Sequence, residues 1–122
     1  MSVSPSTVLL VNDHAATREA LSEVLRGEGF TVEAFASAAQ CLQSCDFRSV
    51  ACAVVNHDMQ EMSGFELAKT FQSGWLEIPT ILLAQVVPEG LHERSEAGVI
   101  AVLGMPPETA ILCNLVRKAV AE

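Results

Sequence analysis

The sequence predicts an α/β fold: one doubly wound sheet of five parallel strands with helices on both faces. Two observations carry this. Short β-branched or apolar runs recur along the chain, each long enough for a strand and too short for a helix. Between them, apolar residues return at helical spacing. Connections this short between alternating elements imply parallel strands and right-handed crossovers.

The elements follow in order. TVLLV at 7–11 is the first strand. Ala16, Ala20, Leu21, Val24 and Leu25 then mark a helix over 15–26, which Gly27 and Gly29 can close with a left-handed residue. TVEAF at 31–35 alternates, as a second strand does. Ser37 followed by Gln40 is a capping-box pattern opening a short helix to about residue 45. VACAVV at 50–55 is apolar throughout, as a central strand covered on both faces must be. A second capping box, Ser63 with Glu66, opens a helix carrying Phe65, Leu67, Ala68 and Phe71. TILLA at 80–84 is the fourth strand, a short helical stretch is expected over 88–97, and VIAVL at 99–103 is the fifth strand after Gly98. Pro107 starts a last helix with Ile111, Leu112, Leu115, Val116, Ala119 and Val120 on its apolar side. The expected architecture is (βα)5 with the flavodoxin-like strand order 2-1-3-4-5.

Composition limits what such a domain does. The 122 residues are 50% apolar, which suits a single domain over 1–122 with a full-sized core. The net charge of −8 argues against binding nucleic acid or an anionic membrane, since both need a basic face. No apolar run approaches the ~18 residues of a transmembrane helix, and the first seven residues lack the pattern of a signal peptide. Four cysteines without a secretory signal are expected as reduced thiols in a cytoplasmic protein.

In doubly wound sheets ligands meet the carboxyl ends of the strands, beside the switch in strand order. The loops there carry Asn12-Asp13-His14, then Asn56 to Gly64, then the residues after Ala84, then Gly104-Met105-Pro106-Pro107. The segment from Asn56 to Gly64 is similar to the D-x-x-M-P-x-M-x-G segment of bacterial response-regulator receiver domains, and the order of elements and the Met-Pro after strand five agree. The chain thus resembles a receiver from Thr7 to about Val120. That resemblance implies a two-component phosphorelay. An Asp ending strand three takes a phosphoryl group, two acids after strand one hold Mg2+ with it, and a hydroxyl after strand four and a Lys after strand five contact the phosphoryl oxygens. It also implies a cis bond before Pro106.

Against that pattern, the acceptor position is Asn56, the first acid is Asn12 with only Asp13 remaining, the hydroxyl position is Ala84, and the Lys position is Met105. The aromatic switch position is Val102, and Gln60 stands where the strand-three loop has Pro. Several chemical parts are missing together, so the expectation is a pseudo-receiver: the fold without phosphotransfer chemistry, and no enzyme.

The same residues could serve other chemistries. Asp13 and Asp58, helped by the carbonyl after the acceptor position, are a minimal Mg2+ site; otherwise they are loop acids, with Asp13 capping the first helix. His14 and His57 near the rim would suit a transition metal but lack a supporting set. Cys41 and Cys45 at i and i+4 are half a zinc site at best, and with Cys52 and Cys113 fit burial as small apolar residues. A flavin phosphate would need a hydroxyl- and glycine-rich loop after strand one, which is absent, and Asn56 precedes His57 rather than a glycine that would favour deamidation. No cofactor is expected. The expected function is phosphorylation-independent protein–protein signalling, with a sensor kinase, output domain or other regulator as partner and weak self-association through the face of the fourth helix, strand five and last helix, where Val102 and the apolar stretch 85–88 lie. Two alternatives remain: weak phosphoryl acceptance by another acid such as Asp58, or sensing of a ligand or metal in the vacated pocket.

Overall fold

The computed structural model describes residues 6–74, 76–86 and 98–121. The helix expected over 88–97 and the apolar residues Val87 and Pro88 lie outside the described residues. Strands β1 (Thr7–Val11), β2 (Thr31–Phe35), β3 (Val50–Asn56), β4 (Thr80–Ala84) and β5 (Val99–Gly104) form one parallel sheet in the order β2-β1-β3-β4-β5. Helices α1 (Ala15–Gly27), α2 (Ala38–Ser44), α3 (Gly64–Ser73) and α4 (Thr109–Ala121) cover it, with a 3-10 turn at Phe47–Ser49 that the sequence did not signal.

The alternating direction of strand side chains splits the core into two layers. Leu9, Val11, Ala53, Val55 and Leu82 pack with Cys41 of α2 and with Phe65, Leu67 and Phe71 of α3. Val8, Leu10, Cys52, Val54, Ile81 and Leu83 pack with Leu21 and Leu25 of α1 and with Leu112 and Val116 of α4. Both faces of β1, β3 and β4 are therefore dry, which is why their sequences are apolar without interruption. Each large apolar side chain buried here contributes about 1.5–3 kcal/mol relative to an exposed one.

Local signals set most boundaries. Ser63 Oγ accepts from the Glu66 amide at 3.1 Å and Glu66 Oε1 accepts from the Ser63 amide at 3.2 Å, closing the capping box of α3. At α2, Ser37 Oγ accepts from the Gln40 amide at 3.1 Å, but the Gln40 side chain reaches back to the Ala36 amide, so the box is only half formed. Gly29, at φ 94°, supplies the left-handed residue after α1, whereas Gly27 stays within the helix. The last helix begins later than Pro107 suggests: its ladder opens with the Leu112 amide donating to the Glu108 carbonyl at 3.0 Å. Its buried face is also turned from the expected one, with Cys113 in the core and Ile111 46% exposed.

Candidate functional site

The carboxyl ends of the strands bring Asn12, Asp13, His14, Thr17, Asn56, Asp58, Gln85 and Met105 around a cleft of about 240 Å³. Of the residues named on sequence grounds, Asn12, Asp13, His14, Asn56, Asp58 and Met105 line it, Ala84 ends β4 just before Gln85, and Val102 on β5 is buried in the layer that holds α2 and α3.

The loop after β1 is held by its own side chains. Asn12 is only 1% exposed. Its amide donates to the Phe35 carbonyl at 3.1 Å, and its Oδ1 accepts from the His14 amide at 2.9 Å. Its Nδ2 is buried without a partner among the described residues. A carboxylate at this position would be a buried charge facing a single donor, so a neutral amide costs less. His14, not Asp13, caps α1: its Nδ1 accepts from the Thr17 amide at 3.3 Å and lies 2.8 Å from Thr17 Oγ1. Asp13 is drawn away from the helix by a residue 43 positions later, because Asn56 Nδ2 donates to Asp13 Oδ1 at 3.2 Å.

Asn56 ends β3 and faces three groups. Besides Asp13, its Nδ2 lies 3.5 Å from the Asp58 carbonyl, and its Oδ1 accepts from the Asp58 amide at 3.3 Å. The carbonyl near the acceptor position is thus that of Asp58, two residues on. The His57 carbonyl is turned the other way and accepts from the Met59 and Gly64 amides, both at 3.1 Å. His57 Nδ1 is buried without a partner among the described residues.

The Asp58 carboxylate is not a free loop acid. Its Oδ2 accepts from the Gln85 amide at 2.9 Å, across to the residue that follows β4. Sequence reasoning missed this bond, and no local signal announces it. Ala84 is fully buried and offers a methyl group. The Met105 amide donates to the Ala84 carbonyl at 3.0 Å, and the Met105 side chain leans on the layer formed with α1 and α4. The Met105–Pro106 bond is cis, as expected.

The cleft contains two acids, Asp13 and Asp58, and among the described residues no Lys or Arg lines it. Arg18 is close by, but its Nη1 donates to the Asn12 carbonyl at 2.8 Å. Among the described residues, no group of three or more His, Cys, Asp or Glu side chains converges on a point where a metal would sit.

The thiols stand apart from this cleft. Cys41 and Cys52 are fully buried. Burial first, then Cys45 and Glu33, push the Cys41 thiol up to about 12; burial alone pushes Cys52 to about 12. Half-buried Cys45, whose Sγ lies 4.0 Å from Glu33 Oε2, is raised to about 11 by burial and by Glu33 and Asp46. All three stay protonated near neutrality, which fits packing and not reactivity.

Residues 8–110 match the response regulator receiver domain family. This chain belongs to that family. The receiver is 31% identical to the response regulator protein TodT of Pseudomonas putida over 84 residues, which are 69% of this chain and 37% of that protein. It is 30% identical to TmoT of Ectopseudomonas mendocina over the same length, 69% of this chain and 38% of that one. The matched segment therefore spans little more than a third of these curated relatives. Among solved structures, response regulator StyR superposes with a TM-score of 0.85 at 29% identity, over 94% of this receiver and 59% of that chain. Receiver domains are signalling modules of two-component pathways, and this one keeps their strand order. Among the described residues no helix is long and apolar enough to cross a membrane.

The Mg2+ that receivers use does not fit this donor set. A cation between Asp13 and the Asp58 carbonyl would have to stand where the Asn56 amide group donates to one and approaches the other. An N–H donor there presents partial positive charge to both oxygens and repels a cation.

Proposed function

We propose that this receiver signals through protein contacts without accepting a phosphoryl group. The observation that supports this best is the Asn56 side chain: an amide at the end of β3, hydrogen-bonded to Asp13 at 3.2 Å. An amide nitrogen has its lone pair delocalised and is no nucleophile. Among the described residues the cleft has no cation to receive phosphoryl oxygens, since Met105 stands after β5, and no hydroxyl at Ala84. Asn12, Asn56, Ala84 and Met105 are then the degenerate positions of a phosphorylation site, Asp13 its remaining acid and Val102 its switch position, with neither Mg2+ nor another cofactor required and no catalysis by the domain.

Asp58 is a poor substitute acceptor, because its carboxylate is already bonded to the Gln85 amide. Partners are proteins: a sensor kinase, an output domain or another regulator, in the cytoplasm. Beside the cleft, Ala16, Ala20, Leu21, Val24, Met105 and Pro106 line an open apolar groove of about 370 Å³, a surface suited to such contacts. Self-association through the face that includes β5 belongs to the same proposal, with Ile100, 49% exposed, as its apolar residue in place of buried Val102.

Intact mass after incubation with a small acyl phosphate and Mg2+ tests the proposal. The expected result is an unchanged mass; a stoichiometric gain of one phosphoryl group overturns it.

A further inference from the structure

The side chains of the rim form one continuous run of hydrogen bonds across three loops. Asn56 Nδ2 donates to Asp13 Oδ1 at 3.2 Å, the Asp58 amide donates to Asn56 Oδ1 at 3.3 Å, and the Gln85 amide donates to Asp58 Oδ2 at 2.9 Å. The run therefore ties the exit of β1 to the exit of β3 and the exit of β3 to the exit of β4. Its last bond is the shortest, as expected for an amide on a charged acceptor. Without it, no hydroxyl at Ala84 and no cation at Met105 would hold the residues that follow β4.

We propose that Asp58 is a built-in latch: its carboxylate, set in place by Asn56, holds Gln85 at the exit of β4 without any covalent modification. The inference rests on the functional reading above, because it assigns a fixed rim to a domain that takes no phosphoryl group. Asn56 suits this role chemically. The run needs a side chain that donates toward Asp13 and accepts from the Asp58 amide, and a carboxamide of this length does both, whereas an ionised carboxylate only accepts. The residue after Gln85 is Val86, 79% exposed, so the latch also sets where an apolar side chain stands on the surface. Asp58 acts here as a positioning residue.

Residue-resolved amide exchange on the full chain tests the latch. In Asp58→Ala, the Gln85 amide is expected to exchange about tenfold faster, the effect of losing one hydrogen bond to a charged group. The His57 amide, on the Leu83 carbonyl, and the Met105 amide, on the Ala84 carbonyl, are expected to keep their protection. Asp58→Ser, whose shorter side chain stops short of Gln85 and whose hydroxyl suits a turn, repeats the measurement should the alanine variant unfold. Gln85 exchange unchanged from the parent chain overturns the latch and leaves the functional reading standing. Phosphoryl uptake by the parent chain overturns the functional reading, whatever Gln85 does.

Discussion

Asn56 Nδ2 donates to Asp13 Oδ1 at 3.2 Å, joining the ends of β3 and β1 by an amide–carboxylate bond where the family pattern has two acids about a cation. The amide dipole meets the carboxylate, so the pair carries one negative charge where two acids would carry two.

Asn56→Asp reverses that balance. It sets a second carboxylate against Asp13, and the repulsion of two charges at this range costs on the order of 1 kcal/mol even at the surface. The single variant is expected to melt lower than the parent without Mg2+, and to recover when millimolar Mg2+ relieves the like charges, through binding to the folded state alone. The melting temperature of the parent chain should be indifferent to Mg2+. Phosphoryl uptake and amide shifts across β4 and β5 are expected to stay small in this variant. Combining it with Asn12→Asp, Ala84→Thr and Met105→Lys should enlarge both by more than the separate changes add up to, because the parts act on one group. A full response from Asn56→Asp alone would remove Ala84 and Met105 from the list of lost parts.

Gly64 opens α3 where the chain passes close against the backbone of Asn56 and His57. A Cβ there would lie 2.8 Å from the Asn56 carbonyl oxygen, 2.9 Å from His57 Cα and 3.0 Å from Leu82 Cδ2. Two of these are backbone atoms and cannot swing aside. Gly64→Ala is therefore expected to destabilise by about 1–3 kcal/mol, as overpacking does, and to perturb the Asn56 amide shifts. Gly27, at the end of α1, has nothing within 4 Å of a Cβ. There the same change should be neutral or stabilise by about 0.4–1 kcal/mol. Urea midpoints of the two variants make the comparison.

The buried thiols predict a loss of stability at high pH. Cys52 is raised from 9.0 to about 12 by burial. Between those values the folded chain keeps its proton and the unfolded chain gives it up, so the unfolded state binds fewer protons and stability falls as pH rises. The contribution is fully present below pH 9 and is lost toward pH 12, at about 1.4 kcal/mol per pH unit for such a thiol. The sequence holds no Tyr to compete in this window. Urea midpoints at intervals from pH 8 to 11 should show the decline, and Cys52→Ala should make it shallower while Cys41 and Cys45 keep their share of it; an identical slope in the variant would count against the assignment.

The elements were legible because their signals are local. A strand of the length of β4 is bounded by Pro79 and by the end of its apolar run, and the Ser63–Glu66 box closes within one helical turn. Apolar periodicity was a poorer guide to which face of α4 is buried, since Cys113 and Ile111 are both apolar and only the neighbouring sheet and α1 decide which is covered. Val102 shows the same limit: its place on β5 follows from the sequence, its burial from the core layer it shares with Leu82 and with Phe65, Leu67 and Phe71 of α3.

At the rim, the sequence by itself determined which residue types stand after each strand, and hence that a nucleophilic carboxylate, a hydroxyl and a lysine are missing from Asn56, Ala84 and Met105. It did not determine how the remaining polar groups pair. Asp13 has a helix to cap one residue away, yet it bonds to Asn56 and leaves the cap to His14. Asp58 bonds to an amide 27 residues further along. The physical reason is that strand and helix formation depend on neighbours in the chain, whose spacing is written in the sequence. A loop side chain instead takes the donor that three-dimensional folding brings within about 3 Å, and that partner comes from whichever strand end the sheet order places beside it.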